Sequence, residues 1–136
     1  MATTTKGIYI EGIGRRKTAT ARVRLTPAKV TSITVNNKSH TEYFKHLSHQ
    51  GVLDSVLATK DAGIENYTIT AKVLGGGISS QADAIRLGIA RALVKEKEAR
   101  RIPLKREGFL KRDPRAVERK KFGLRKARKR PAWSKR

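Results

Sequence analysis

Two clusters in the 136-residue sequence carry side chains suited to holding phosphate. Gly14-Arg15-Arg16-Lys17-Thr18 puts three consecutive cations on a glycine-led turn, just ahead of an apolar alternation. Arginine offers a planar fork to two phosphate oxygens and lysine a mobile point charge. Arg125-Lys126-Ala127-Arg128-Lys129-Arg130 is the densest cationic run, and Trp133 follows it. A solubilising or localisation tail would account for the charge alone. An indole among cations can also stack on a base or sugar, worth ~1–3 kcal/mol per base.

Other chemistries find less support. Gly75-Gly76-Gly77 precedes a helical pattern, but the dinucleotide fingerprint is absent and no Lys-Ser/Thr follows at phosphate-loop spacing. The glycines are better read as a tight turn passing close to another backbone, with free N–H groups at the helix start that can still face an RNA phosphate. His40, His46 and His49 are the only histidines, and no acid or cysteine completes a metal site around them. No Gly-x-Ser-x-Gly elbow occurs, and Asp54, Asp61 and Glu65 fall in a polar, loop-like stretch that suits solvation or capping. The sequence is therefore not expected to be an enzyme or to need a cofactor.

The charge balance supports a polyanionic partner. Lys and Arg number 32 against 11 Asp and Glu, a net of +21, which destabilises a compact state unless counterions or phosphates neutralise it. Residues 1–98 carry 15 basic and 8 acidic side chains, while residues 99–136 carry 17 and 3. This contrast divides the chain into a globular α/β domain at 1–98 and a basic extension at 99–136, the pattern of a nucleic-acid-binding arm. Absence of cysteine removes disulfides, zinc ribbons and thiol nucleophiles. No apolar run approaches the ~20 residues of a membrane span, and Met1 to Gly7 lack a secretory-signal pattern.

Periodicity supplies the elements that would position these cations. Ala19, Ala21, Val23 and Leu25 alternate with Thr18, Thr20, Arg22 and Arg24, as in a half-buried strand. Ile8 and Ile10 suggest a paired strand before it, with Gly12 and Gly14 marking a bend or bulge. Ile33 and Val35 begin a short strand turned by Asn36-Asn37, and Tyr67, Ile69, Ala71 and Val73 form another. Residues from Tyr43 to Leu57 suit helix spacing, interrupted near Gly51. Ser80 and Asp83 resemble a capping box opening a helix to about Glu98. On it Ala82, Ile85, Ile89, Ala92 and Leu93 share one face; Ala84, Gly88, Arg91 and Lys95 lie opposite, where small residues permit close approach of a backbone or phosphate. Arg86 intrudes on the apolar arc and is expected to be snorkelling or ion-paired. The fold class is α+β, a small two-layer α/β sandwich with one mixed sheet and two helices on one face. In the extension, Asp113-Pro114 reads as an N-cap and first helical residue, predicting a short helix near 114–121 that stops at Gly123. Residues 124–136 are expected to be an extended tail reaching ~40 Å and ordering only on a partner.

Three ordered motifs resemble the universal small-subunit ribosomal protein nine family. They are Gly14-Arg15-Arg16-Lys17-Thr18-Ala19-Thr20-Ala21-Arg22-Val23, the stretch from Gly75 to Leu93, and the run from Asp113 to Arg128 with the terminal Ser134-Lys135-Arg136. The family usually has Gly where Ser80 stands, which implies a slightly altered turn at the helix start. The resemblance implies a fold like the second domain of ribosomal protein S-five, a bacterial or plastid type, and a place in the cytoplasmic or plastid ribosome. It implies a structural constituent of the small subunit that binds ribosomal RNA of the head (the 3′ major domain) beside neighbouring head proteins. It also implies a C-terminal tip touching the anticodon stem-loop of the peptidyl-site tRNA. Candidate rRNA-binding residues are Arg15, Arg16, Lys17, Arg91, Arg115, Arg119, Lys120, Lys121, Arg125, Lys126, Arg128, Lys129 and Arg130; Lys135 and Arg136 are the candidate tRNA contacts. The competing reading, from charge alone, is a nonspecific nucleic-acid binder or RNA chaperone.

Overall fold

Alternating apolar residues pair two strands into a hairpin at the start of the computed structural model, which describes residues 9–64 and 66–135. Strand β1 (Ile10–Arg16) runs antiparallel to β2 (Ala19–Pro27), closed by the two-residue turn Lys17-Thr18, with Lys17 at φ +50°. Strand β5 (Tyr67–Leu74) pairs antiparallel with β2, and β3 (Ser32–Val35) pairs parallel with β5. The short β4 (Lys38–Ser39) completes a mixed five-stranded sheet of order β1-β2-β5-β3-β4. Asn36 and Asn37 both adopt positive φ in the β3–β4 turn. The Asn36 side chain also exchanges hydrogen bonds with the Val73 backbone at 3.0 and 3.1 Å, continuing the pairing where β3 ends.

One face of the sheet is buried. Ala19, Ala21, Val23 and Leu25 of β2 and Ile69, Ala71 and Val73 of β5 point into a core closed by α2 (Leu47–Leu57) and α3 (Ile78–Glu96). The sandwich therefore has the expected layers. Ile8 and Glu65 lie outside the described residues.

Several local expectations change. β1 pairs residue for residue with β2, so Gly12 and Gly14 mark no bulge. They instead allow α3 to lie directly on the strand: a Cβ on Gly14 would overlap the Ala84 carbonyl and sit 2.6 Å from the Gly88 amide nitrogen. The helical stretch after β4 breaks at 44–46, between the single turn α1 (His40–Tyr43) and α2, and not at Gly51. The break lets Phe44 turn fully into the core. Asp54 lies on α2 and not in a loop. Helix α3 starts at Ile78 after Gly77, so Ser80 and Asp83 form no capping box; Ser80 is buried within the first turn and Asp83 faces Arg16 and Arg86. The helix ends at Glu96, two residues early, where Lys97 turns to extended backbone.

The boundary at 98 also moves. A 3-10 turn at Glu98–Arg100 leads into α4 (Arg101–Arg106), whose Leu104 is fully buried, and Phe109 and Leu110 pack against the core. Arg100, 2% exposed, donates to the Ala62 and Gly63 carbonyls at 3.1 and 3.0 Å, to the Tyr67 hydroxyl at 3.0 Å and to the Glu96 carboxylate. The globule thus continues through Leu110, and a truncation at 98 would remove part of its core.

The helix expected at 114–121 is not present; residues 112–121 adopt neither helix nor strand. Eight residues are too few for a helix to hold without packing. Val117, the one large apolar side chain there, is 91% exposed, and Arg115 and Arg119, four residues apart, would repel on one helix face. Asp113 accepts the Arg115 amide at 3.0 Å, which caps a turn and not a helix.

Candidate nucleic-acid interface

The hairpin sets the first cluster in place. Arg15 and Lys17 are exposed, whereas Arg16 turns back to pair with Asp83 on α3 and, at 3.0 Å, with Asp113. Arg86 joins the same group through Asp83 at 3.6 Å, and its guanidinium lies 5.9 Å from the centre of the Phe109 ring. The ion-paired expectation for Arg86 is met, and burial lowers its pKa. Arg16 therefore fastens the turn, α3 and the root of the arm together, a role that spacing did not signal because both aspartates are distant in sequence. Gly75 and Gly76, at φ +71° and +67°, rest on the backbone of Thr18 and Ala19, so the glycine loop makes the close backbone approach expected of it.

Arg91 reaches back across β1 and donates to the Ile13 carbonyl at 2.8 Å, with its side chain exposed beside Lys95 and Arg101. On the arm, Arg115 grips Asp113 with its Nε and Nη2 at 2.9–3.2 Å. Glu118 accepts from Lys121 at 2.9 Å and Arg128 at 2.8 Å, and Arg119 donates to the Lys120 carbonyl at 3.2 Å. The side chains of Lys120, Arg125, Lys126, Lys129 and Arg130 are exposed and have no ion-pair or hydrogen-bond partner among the described residues. Phe122 and Trp133 are 97% and 85% exposed. Lys135 is exposed, and Arg136 lies outside the described residues. The candidates thus separate into an exposed cationic set, mostly on the arm, and Arg16, which braces the fold.

Asp113 is held well below the usual carboxylate range, first by the Arg115 side chain, then by the Arg115 amide, with Arg16 adding attraction. A depressed carboxyl pKa favours this arrangement above the ordinary carboxyl range and loses it as pH falls through the lowered value. A carboxyl-detected NMR titration of the chain should find Asp113 still ionised at pH 3; half-protonation near pH 4 would contradict the geometry. The Arg115→Ala substitution should return it toward the ordinary value.

Sequence reasoning missed Arg22, Arg24 and Lys72, which stand on the uncovered face of the sheet. The signal was present in the polar half of the β2 alternation. Glu11 accepts from Arg22 Nε at 2.7 Å and Arg24 Nε at 3.2 Å, and these bonds, Arg22 first, lower its pKa.

The α+β fold thus exposes a basic sheet face, a cationic hairpin turn and a C-terminal segment in which Lys120, Arg125, Lys126, Lys129 and Arg130 have no ion-pair partner among the described residues. Residues 14–136 match the family model described as "Ribosomal protein S9/S16". The chain is 54% identical over 127 residues to small ribosomal subunit protein uS9 of Synechococcus sp. (strain JA-3-3Ab), covering 92% of this chain and 90% of that protein. It is 50% identical over 127 residues to uS9 of Mycobacterium tuberculosis (strain ATCC 25177 / H37Ra), covering 93% and 83%. The chain belongs to the ribosomal protein S9/S16 family.

Proposed function

We propose that the chain is a structural constituent of the small ribosomal subunit, in the cytoplasm or in a plastid. Its globule binds ribosomal RNA in the subunit head beside other head proteins, its arm lies along that RNA, and its tip touches the peptidyl-site tRNA. The observation that carries this reading is the arm itself. Residues 114–135 expose cations and aromatics and adopt no helix or strand, in a chain of the S9/S16 family. Phosphate contacts by Lys and Arg carry little sequence information, which suits a tip that must accept every tRNA. Shape recognition of folded RNA would dominate elsewhere.

Density-gradient fractionation of a lysate should place the protein in small-subunit fractions; a protein wholly outside them would defeat the reading. Deleting residues 134–136 should weaken peptidyl-site tRNA binding by purified small subunits several-fold while leaving assembly intact. Unchanged tRNA affinity would remove the tip from the account. A nonspecific nucleic-acid binder would instead hold duplex DNA and ribosomal RNA equally at matched salt.

A further inference from the structure

Among the described residues, helices cover one of the sheet's two faces and leave the other open. That open face presents Arg15, Arg22, Arg24 and Lys72, with the exposed Ile13 and Leu74 at its margin, against one acid among the described residues, Glu11. Arg22 stands directly across from Lys72, and Arg24 across from Thr70, which in turn pairs with Thr34. Arg22 and Arg24 are 55% and 41% exposed at the side chain. A cavity of about 100 Å³ opens here, lined by Arg22, Arg24, Thr34, Asn37, Thr70 and Lys72. It is well below the ~300–1,000 Å³ of small-molecule pockets.

We propose that this open sheet face is a second RNA-binding surface, on which Arg22, Arg24 and Lys72 hold the phosphate backbone of ribosomal RNA. The inference rests on the functional reading above and adds a site to it. Three observations favour a polynucleotide over an acidic protein. The centre of the face is charged, whereas the centres of protein interfaces are depleted of charge. Hydroxyls of Thr20, Thr26, Thr34, Thr68 and Thr70 surround the cations and can bond phosphate or ribose oxygens. The face also continues into the arm: Arg15 leads to the hairpin turn, where Lys17 and Thr18 share a hollow with Arg112, Pro114 and Val117. One RNA segment can therefore run from the arm root onto the sheet.

Glu11 fixes the logic of the test. It occupies the Nε donors of both arginines, so an arriving phosphate must compete with it. Binding of the full chain to purified small-subunit ribosomal RNA is measured across a range of salt. The Arg22→Gln/Arg24→Gln/Lys72→Gln variant should bind about tenfold more weakly, with a salt slope reduced by roughly 2, at ~0.7–0.9 per phosphate contact. Glu11→Gln should bind two- to threefold more tightly. Effects of opposite sign on one face cannot both come from unfolding. If the wild type binds the RNA and both variants bind equally well, the second surface is overturned while the arm's role stands. A loss of binding to an acidic head protein, with RNA affinity unchanged, also overturns it. A wild-type chain that fails to bind the RNA overturns both readings.

Discussion

Removing residues 114–136 should lower affinity for small-subunit ribosomal RNA by at least about a hundredfold at 0.15 M salt, because phosphate neutralisation dominates such binding. The deleted segment holds eleven basic and one acidic side chain, a net of +10. Each phosphate contact releases counterions, so the salt slope should flatten by several units. The cut leaves Asp113 in place with Arg16, Asp83 and Arg86, and it leaves Leu104, Phe109 and Leu110 on the core. Thermal melting of the truncated chain should therefore match that of the full chain. A truncation that melts normally yet binds RNA with full affinity and slope would move the binding off the arm.

The second large effect concerns stability. Gly14→Val should destabilise the fold by about 3 kcal/mol or more, since added bulk at a closely packed contact forces backbone shifts. Helix α3 lies backbone to backbone on β1: a Cβ at Gly14 meets the Ala84 carbonyl and the Gly88 nitrogen, and one at Gly12 lies 2.8 Å from the Ala92 nitrogen. Gly88 is bound by the same geometry from the helix side, where a Cβ would sit 2.7 Å from Val23 Cγ2. The three atoms nearest a Cβ on Gly14 are all backbone, so no change of rotamer relieves that contact. The melting temperature should fall by roughly 15 °C in a domain of this size. Gly51 is the contrasting case. It lies inside α2 with nothing within 4 Å of a built Cβ, so Gly51→Ala should stabilise by up to ~1 kcal/mol through helix propensity. Urea unfolding of both variants checks the pair; a Gly14→Val chain as stable as wild type would refute the close packing.

Elements whose signal is local were legible in the sequence. The alternation of Ala19 to Leu25 and of Tyr67 to Val73 announces half-buried strands because each side chain's face follows from its parity alone. The apolar arc of α3 and the charge of the arm are equally local. What escaped depends on distant partners. Gly12 and Gly14 resemble bulge glycines until a helix seventy residues later is laid on them. Arg16 resembles its neighbours Arg15 and Lys17, and only Asp83 and Asp113 make it a brace. Helix α4 was hidden by Pro103, which is tolerated in a first helical turn, and by having Leu104 as its one buried residue. The false helix at 114–121 came from a sound start signal, Asp113-Pro114, with no apolar face behind it.

The central claim is that the arm lies against ribosomal RNA, and the absence of cysteine makes it directly testable. A Lys129→Cys chain carries one attachment site for a tethered iron chelate, which generates hydroxyl radicals within a short radius. In assembled small subunits, that tether should cleave ribosomal RNA strongly at a few discrete positions. Cleavage no greater than that of an unattached chelate would place the arm in solvent and contradict the account.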